Sequence, residues 1–275
     1  MKLIADSGST KTDWYLIRGK DLLRYSTQGY NPYYCTTEEV KKSLERELLD
    51  KVTATTIQSL YFYGSGCANV LTQKVILDAL APTFVHASIS LGDDLLAAAR
   101  STAGHAPGIC CILGTGSNSC SYDGKEIVDK IPSLGYILGD EGAGTFIGRQ
   151  LVTAYFYREM PTELALKMEV AYQMDKHLII SSLLDEKNPN RILASYALFA
   201  SEHQEHPFIQ ELLTTCFDTF INRHILKYPN AKQVPIHFIG SIAFGFQKAL
   251  KRVLEKHDLR VGKIFKSPFP TLLDY

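Results

Sequence analysis

The first third of the chain alternates between segments with the apolar–polar period of a strand and segments with the longer period of a helix. The pattern predicts strands over residues 1–6, 12–18, 59–63 and 87–91, and helices over residues 37–50, 69–80 and 93–103. Strands that alternate with helices in this order are typical of an α/β domain.

The opening stretch LIADSGSTKTDWYLI, residues 3–17, places a polar turn between two apolar segments. Its spacing excludes a P-loop, because two positions where that motif requires glycine hold other residues. The residues after the turn are β-branched and aromatic, so the turn joins two strands. It offers backbone N–H groups, the hydroxyls of Ser9 and Thr10 and the cation of Lys11 to an anion, and it offers Asp6 to a hydrated metal. An ordinary hairpin turn is the alternative.

The same pattern returns in GICCILGTGSNSCSYD, residues 108–123, where an apolar segment is followed by a glycine-rich turn and a second strand-like segment. Two such hairpins, each opening one half of the chain, indicate a duplicated architecture with a ligand between the halves. The segment 104–107 is a plausible crossing between the halves. We therefore expect an N-terminal domain over 1–106 and a C-terminal domain over 107–275.

The second half turns helical from about residue 145 to residue 228, with a break at 188–190. A further apolar segment then predicts a strand over 234–239 that enters a helix at Gly240 and Ser241. A glycine followed by free helix N–H groups suits the approach of a nucleotide. An ordinary strand-to-helix turn is the alternative.

Composition narrows the function classes. Acidic and basic residues balance at 29 each, which gives no electrostatic sign of a partner that is a nucleic acid or a membrane surface. The six cysteines contain no CxxC pair, which favours reduced thiols and a cytoplasmic location. We expect neither a signal peptide nor a membrane-spanning segment, because no apolar run approaches the length that either requires.

Two adjacent carboxylates, Asp93 and Asp94, stand where a predicted strand ends and a predicted helix begins. Ligands of open α/β sheets bind at this edge, where a carboxylate can accept a proton from a reacting hydroxyl. Aspartate is also favoured as the cap of a helix N-terminus. One residue of the pair can serve each purpose.

Several motifs together resemble the BadF/BadG/BcrA/BcrD-type ATPase family and, within it, the N-acetylglucosamine kinases. In chain order they are DSGSTKT (6–12), NP (31–32), DD (93–94), GTGSN (114–118), GDEG (139–142) and GS (240–241). GTGSN followed at this distance by GDEG is the specific part of a match that spans nearly the whole chain. The family belongs to the actin/hexokinase/Hsp70 superfamily. The resemblance therefore implies an α/β fold of two ribonuclease-H-like, or actin-like ATPase, domains with an ATP cleft between them and a helical insertion in the second.

The resemblance also implies an activity. The chain would transfer the γ-phosphate of ATP to a hydroxyl, expected to be the 6-OH, of an N-acetylated amino sugar such as N-acetylglucosamine. ATP would be the co-substrate and Mg²⁺ the cofactor. The resemblance favours Asp94 over Asp93 as the general base, with Asp93 as the helix cap. One departure from the family is Leu134, which stands near the sugar where the family often has Trp.

The remaining site residues implied by the resemblance fall into three groups. Asp6 would hold Mg²⁺ through water. The sugar would be bound by Asn31, Asp94, Asn118 and Asp140. ATP and its phosphates would be bound by Ser9, Thr10, Lys11, Gly114, Thr115, Gly116, Gly240 and Ser241. A plain Asn-Pro turn is the alternative for Asn31, and a capped helix start, with Glu141 as the cap, is the alternative for the GDEG segment.

Three other functions stay open. A glucosamine or N-acetylmuramic acid kinase would use the same residues. An ATPase activator of 2-hydroxyacyl-CoA dehydratases or benzoyl-CoA reductases would need cluster-ligating cysteines and a DIGGQD-like motif where this chain has GTGSN. A non-catalytic ATP-binding switch is the third. The expected partners are a small sugar and ATP, with no nucleic acid or membrane, and a homodimer is common in the family.

Overall fold

The computed structural model describes residues 1–8, 11–67, 69–185, 189–269 and 271–274. The chain divides into two compact units, Met1–Ala97 and Ala98–Tyr275. This division falls earlier in the chain than the boundary expected after Ala106, and the functional domains 1–106 and 107–275 stay a prediction.

The first unit contains every strand and helix that the pattern predicts for it, and one more strand. Its elements are β1 (Lys2–Ser7), β2 (Lys11–Arg18), β3 (Asp21–Gln28), α1 (Thr37–Glu47), β4 (Ser59–Gly64), α2 (Val70–Thr83), β5 (Ser88–Asp93) and the start of α3 (Asp94–Ala103). The additional strand is β3, which lies at the edge of the sheet and is mostly exposed.

The described strands of the first unit form one sheet in the order β3-β2-β1-β4-β5. β1, β2 and β3 pair antiparallel, whereas β1, β4 and β5 pair parallel. The carboxyl ends of the three parallel strands therefore lie at one edge of the sheet, beside the turn between β1 and β2. Ligands of α/β proteins bind at such an edge.

One face of this sheet packs on α1 and α2. Trp14, Tyr30 and Phe62 are fully buried in that core, and the indole N–H of Trp14 donates to Thr27 Oγ1 at 3.1 Å. Burial of aromatic side chains of this size contributes much of the stability of a small core. The rigid core fixes the positions of the strand ends that carry the candidate site.

The second unit adds a long helical segment to a second sheet. Its elements after α3 are β6 (Gly108–Leu113), β7 (Ser117–Tyr122), β8 (Ile127–Ile131), α4 (Gly135–Leu138), α5 (Gly144–Phe156), α6 (Thr162–Ala171), α7 (Lys176–Asp185), α8 (Pro189–Ser195), α9 (Ala197–Glu202), α10 (Pro207–Arg223), β9 (Ile236–Ile239), α11 (Ser241–Gly245), α12 (Gln247–Lys256) and β10 (Val261–Phe265). Helices α4 to α10 lie between β8 and β9, which confirms the expected helical insertion.

The described strands of the second unit repeat the topology of the first. Read as β8-β7-β6-β9-β10, the second sheet has the same order and the same directions as β3-β2-β1-β4-β5, with antiparallel pairs on one side of β6 and parallel pairs on the other. The internal duplication and the α/β fold class expected from the sequence are confirmed.

The core of the second unit lies between its sheet and the helical insertion. Phe217 and Phe220 of α10, Phe238 of β9 and Ile147 of α5 are fully buried there. Within the described residues, no helix combines the length and the apolar character needed to cross a bilayer.

Candidate active site

Two carboxylates lie at the carboxyl edge of the first sheet. Asp6 is the penultimate residue of β1, and Asp94 is the first residue of α3, directly after β5. Burial, together with repulsion from the charges of Asp94 and Asp13, raises the pKa of the half-buried Asp6 carboxyl to about 6. A carboxylate that is destabilised in this way gains from a nearby cation.

The turn between β1 and β2 is held at both ends. The N–H of Gly8 donates to the carbonyl oxygen of Lys11 at 2.9 Å, and the buried hydroxyls of Ser7 and Thr12 lie 2.7 Å apart. The backbone N–H of Tyr30 donates to Ser7 Oγ at 3.0 Å. The predicted phosphate ligands Ser9 and Thr10 lie outside the described residues, so their roles stay predictions.

Lys11 is paired within its own strand. Its ammonium Nζ lies 2.8 Å from Oδ2 of Asp13, and the guanidinium of Arg24 donates to the same oxygen at 2.9 Å. Ser26 donates to the other oxygen at 2.6 Å. Partial burial raises the pKa of the Asp13 carboxyl, but the hydrogen bonds from Lys11, Ser26 and Arg24 outweigh it, so the pKa lies below its ordinary value. Asp13 is therefore ionised and holds Lys11 beside Asp6, its cross-strand neighbour.

The two adjacent aspartates at the start of α3 have different surroundings. The backbone N–H of Leu96 donates to Asp93 Oδ1 at 2.8 Å, which is the helix-capping bond expected of Asp93. Because Asp93 makes this bond, Asp94 is not needed as the cap. After burial, the charge of Asp94 is the next cause that raises the pKa of Asp6 and the pKa of the buried Cys67 thiol. Asp94 follows Asp93, which is paired with Gly64 of β4, and Gly64 is paired with Ser7 of β1, so the ends of the three strands stand at one sheet edge.

Asn31 lies at the same sheet edge and is buried. Its side-chain Oδ1 accepts a hydrogen bond from the N–H of Tyr33 at 3.0 Å, so the local Asn-Pro turn that was the alternative does form. The carboxamide packs on Gly66, where a Cβ would lie 2.5 Å from Asn31 Oδ1 and where φ is +86°. Gly66 follows Ser65, whose N–H donates to the carbonyl of Ser7 at 2.8 Å. This contact places Asn31 beside the end of β1.

The glycine-rich turn of the second unit is bound to the start of α5. The N–H groups of Gly144 and Thr145 donate to the carbonyls of Gly114 and Thr115 at 2.9 and 3.0 Å. Gly114 has open space where a Cβ would stand. The turn is therefore held rigidly from the side of its carbonyl groups.

Asp140 lies directly against this turn. Its carboxylate accepts hydrogen bonds from the backbone N–H of Ser117 at 3.1 Å and from the Thr145 hydroxyl at 3.4 Å. Burial raises the pKa of this carboxyl, and the charge of Glu141 raises it as well, against the lowering by those hydrogen bonds. A Cβ on Gly116 would lie 2.8 Å from Asp140 Oδ2, so the glycine leaves the space that the carboxylate occupies.

The alternative in which Glu141 caps the following helix is wrong. Residue Ala143 stands at the N-cap of α5 and makes no side-chain capping bond. Glu141 instead accepts hydrogen bonds from Arg223 at 2.5 Å and from His224 at 3.2 Å. Burial by itself raises the pKa of Glu141, but a hydrogen bond from its own backbone N–H and those from Arg223 and His224 outweigh burial, so this pKa lies below its usual range.

Asn118 and Gly240 complete the predicted set in the second unit. Asn118 belongs to β7, and its side-chain oxygen accepts a hydrogen bond from the N–H of Ser119 at 2.9 Å. Gly240 has φ +125°, and a Cβ there would lie 2.1 Å from the carbonyl oxygen of Leu113. Gly240 is thus required for close packing beside the glycine-rich turn, and Ser241 begins α11.

The structure gathers the predicted residues into one group in each unit. Asp6, Lys11, Asn31 and Asp94 lie at the carboxyl edge of the first sheet, and Gly114, Thr115, Gly116, Asn118, Asp140 and Gly240 surround the turn of the second. The sequence reasoning missed Asp13 and the two residues that bind Glu141. The pairing of Asp13 with Lys11 could have been predicted, because residues two apart on a strand lie on the same face of the sheet. The partners of Glu141 lie far away in the sequence and give no local signal.

The residues near Asp6 fit a magnesium ion. Within the described ranges, no group of three or more His, Cys, Asp or Glu side chains is arranged to hold a metal by itself. Mg²⁺ does not require such a group, since it keeps several waters and binds through one or two carboxylates together with substrate phosphates. Asp6, with its raised pKa and its position beside the phosphate-type turn, matches that requirement.

Comparison with known proteins identifies the family. No protein-family model and no curated protein matches the chain. Among solved structures, a proposed N-acetylglucosamine kinase from Porphyromonas gingivalis is 39% identical, with 100% of this chain and 98% of that chain covered and a TM-score of 0.93. A proposed N-acetylglucosamine kinase from Chromobacterium violaceum is 18% identical over 99% and 97% of the two chains, with a TM-score of 0.75.

A proposed N-acetylmannosamine kinase from Listeria monocytogenes is more distant, at 13% identity over 98% of this chain and 91% of that chain, with a TM-score of 0.51. The two distant structures share the two-domain actin-like fold with this chain. The match to the Porphyromonas protein is close enough, and complete enough, to show common family membership. The chain is a phosphotransferase that belongs to the N-acetylglucosamine kinase-like family of sugar kinases, which have the actin-like ATPase fold and use ATP as co-substrate.

Proposed function

We propose that the chain transfers the γ-phosphate of ATP to the 6-OH of an N-acetylated amino sugar, with N-acetylglucosamine as the leading candidate. The observation that carries the chemistry is that Asp6 and Asp94 stand at the same edge of the first sheet, where β1, β4 and β5 run parallel. Phosphoryl transfer needs a base or orienting group for the acceptor hydroxyl and charge neutralisation at the phosphate. The 39% identity to the Porphyromonas protein supports the choice of sugar.

Asp94 is the proposed general base. It begins α3, and the capping bond of that helix is made by its neighbour Asp93. Asp94 accepts the proton of the sugar hydroxyl and orients the oxygen toward the γ-phosphate. Asp6 holds Mg²⁺ through water, and the ion, when bound, neutralises charge on the phosphate oxygens.

The phosphates of ATP are held by both glycine- and hydroxyl-containing turns. In the first unit, Ser9, Thr10 and Lys11 supply hydroxyl and ammonium donors. In the second, Gly114, Thr115 and Gly116 supply a turn without large side chains, and Gly240 and Ser241 serve the nucleotide. Support comes from the open space at Gly114, which lets a phosphate approach the backbone.

The sugar is bound by planar side chains that can each make two hydrogen bonds. Asn31, Asn118 and Asp140 share this property with Asp94. Asn31 and Asp140 are buried, and each is fixed by a backbone N–H group. Buried polar groups of this kind discriminate strongly, because an analogue that lacks a hydroxyl leaves them without a partner.

We further propose that the enzyme works as a homodimer in the cytoplasm. The family resemblance supports the dimer. The location is supported by the free thiols of all six cysteines, of which only Cys35 is not buried. Size-exclusion chromatography with light scattering tests the dimer, and a monomeric mass at working concentration would contradict it.

The direct test is ADP release from Mg-ATP, measured with N-acetylglucosamine, glucosamine, N-acetylmuramic acid, N-acetylmannosamine and glucose. We expect a rate that depends on an N-acetylated amino sugar, with N-acetylglucosamine giving the highest kcat/KM. A preference for another sugar would correct the substrate but keep the kinase. Steady ATP hydrolysis without sugar dependence would instead favour an ATPase activator or a switch.

A further inference from the structure

A chain of hydrogen bonds lies beneath the proposed sugar-binding residues of the second unit. The N–H of Ile131, at the end of β8, donates to the hydroxyl oxygen of Tyr228 at 3.0 Å. The Tyr228 and Ser119 hydroxyl oxygens are 2.8 Å apart, and Ser119 Oγ is 3.5 Å from Nδ1 of His224. Nε2 of that ring lies 3.2 Å from Oε2 of Glu141. A continuous series of polar contacts thus runs from the backbone of Ile131 through Tyr228, Ser119 and His224 to the carboxylate of Glu141.

The chain has a consistent donor direction. Tyr228 accepts from a backbone N–H, which leaves its own proton available for donation to Ser119. In that direction Ser119 donates to Nδ1 of His224, and the Nε2–H of the ring donates to Glu141. Every hydroxyl in the chain both accepts and donates. The hydrogen-bond chain ends on the carboxylate of Glu141, whose pKa lies below its usual range.

The four side chains of this hydrogen-bond chain are buried. Ser119 is inaccessible, and Tyr228, Glu141 and His224 are 2%, 4% and 5% exposed. The ring of His224 also stacks on Phe220 of α10, with ring centroids 4.8 Å apart. Where water cannot replace a missing partner, loss of one member leaves its neighbours unsatisfied.

The hydrogen-bond chain joins three segments of the protein that carry or flank the proposed sugar site. Glu141 follows Asp140, whose backbone has φ +56°. Ser119 follows Asn118 on β7, and Ile131 is three residues before Leu134, where the family often has Trp. Arg223 and His224 anchor the first segment to the end of α10. A shift of any member of the hydrogen-bond chain therefore displaces backbone next to a residue proposed to bind the sugar.

We propose that Tyr228, Ser119, His224 and Glu141 are positioning residues for sugar recognition. They set the places of Asn118 and Asp140 without touching the sugar. This inference rests on the proposed function and deepens it. It also separates these residues from the ATP-binding turns, because none of the four makes a described hydrogen bond to Gly114, Thr115 or Gly116.

The test is Tyr228→Phe, which removes one hydroxyl and keeps the ring. We expect the KM for the sugar to rise about tenfold, since the loss of a buried hydrogen-bond partner has an effect of roughly this size. The KM for ATP should stay within about twofold. Sugar binding measured by calorimetry should weaken by the same factor as the KM rises. A general loss of structure would change both KM values together.

Asp218→Asn is the matched control. Asp218 also lies on α10 and pairs with a histidine, since its Oδ1 is 2.7 Å from Nε2 of His257, but it is not linked to the chain. We expect this variant to keep the wild-type KM for the sugar. Glu141→Gln preserves the size of its side chain and carries the same prediction as Tyr228→Phe if the latter does not fold.

The results separate the two claims. A wild-type protein with no sugar-dependent ADP release would overturn the proposed function, and this inference with it. An active wild type whose folded Tyr228→Phe and Glu141→Gln variants keep the sugar KM would overturn the inference alone. Equal increases in the KM for sugar and for ATP would also overturn it.

Discussion

The ammonium of Lys11 lies 2.8 Å from the carboxylate of Asp13, two residues further along the same strand. Asp13 is the cross-strand neighbour of Asp6, so the pair sits beside the proposed metal ligand. Arg24 donates to the same carboxylate from β3. Asp13 thus holds the ammonium of Lys11 beside the first turn.

The first prediction compares the two cations that share Asp13. If Lys11 contacts a phosphate, Lys11→Met should lower kcat/KM for ATP by about 10- to 100-fold, since a hydrogen bond to a charged group contributes about 1.5–3 kcal/mol. Arg24→Met removes the other partner of the same carboxylate and should change kcat/KM by less than about threefold. Steady-state kinetics with varied ATP measure both. Equal losses in the two variants would show that Lys11 acts only through Asp13.

The second prediction concerns the two glycines of the second turn. A methyl group on Gly116 would lie 2.8 Å from the carboxylate of Asp140, whereas one on Gly114 meets nothing within 4 Å. Gly116→Ala should therefore displace Asp140 and raise the KM for the sugar by about tenfold or more, the effect expected of a lost charged hydrogen bond. Gly114→Ala should keep the melting temperature and the sugar KM, and raise the KM for ATP if a phosphate approaches there. A Gly116→Ala enzyme with a normal sugar KM would remove Asp140 from the sugar site.

The third prediction uses the pKa of Asp6, which burial and the charges of Asp94 and Asp13 raise to about 6. The folded chain binds this proton more tightly than the unfolded chain, so the resulting stability is complete below the ordinary carboxyl pKa and is lost as pH rises through about 6. Asn does not ionise. At pH 8 the free energy of unfolding of Asp6→Asn should therefore exceed that of the wild type by up to about 3 kcal/mol. At pH 4 the two free energies should differ little.

Urea titrations of the ligand-free protein at the two pH values measure this difference. The same variant should lose kinase activity, because it no longer has a charged ligand for the metal. A variant that is less stable than wild type at pH 8 would show that Asp6 is held by a favourable partner and not strained by its neighbours.

The fourth prediction separates the adjacent aspartates at the start of α3. Asp94→Asn should lower kcat by about 10²-fold or more with little change in sugar binding, the usual effect of a lost general base. Asp93→Asn should keep kcat within about threefold, since Asn caps helices as well as Asp does and can accept the bond from Leu96. Kinetics and calorimetry on both variants give the answer. Near-normal turnover by Asp94→Asn would assign the base elsewhere.

The sequence predicted the elements that carry strong local patterns. The hairpins at the start of each unit, the helix after Asp94 and the parallel strands all form as expected, because their apolar periods match the faces they bury. The repeat of a strand–turn–strand hairpin at the opening of each half predicted the duplicated topology that both sheets show. A carboxylate at a helix start predicted a cap, the family resemblance assigned that cap to Asp93, and the bond from Leu96 agrees with it.

Edge strands and long-range contacts were not predictable in the same way. Strand β3 was missed because Leu22 and Leu23 are both substantially exposed, so their apolar character does not report a buried face. The link between Glu141 and His224 joins residues 83 positions apart. No local pattern in the sequence indicates such a contact, because it depends on how α10 packs against the sheet. The roles of the individual site residues remain predictions for experiment.

The most direct test of the kinase is the identity of the phosphorylated product. Phosphorus NMR of wild-type protein with Mg-ATP and N-acetylglucosamine should show a phosphate monoester on the sugar 6-oxygen that accumulates in step with ADP. Asp94→Asn should form it at least about 10²-fold more slowly. Inorganic phosphate in step with ADP, with no sugar phosphate, would contradict the account and identify an ATPase.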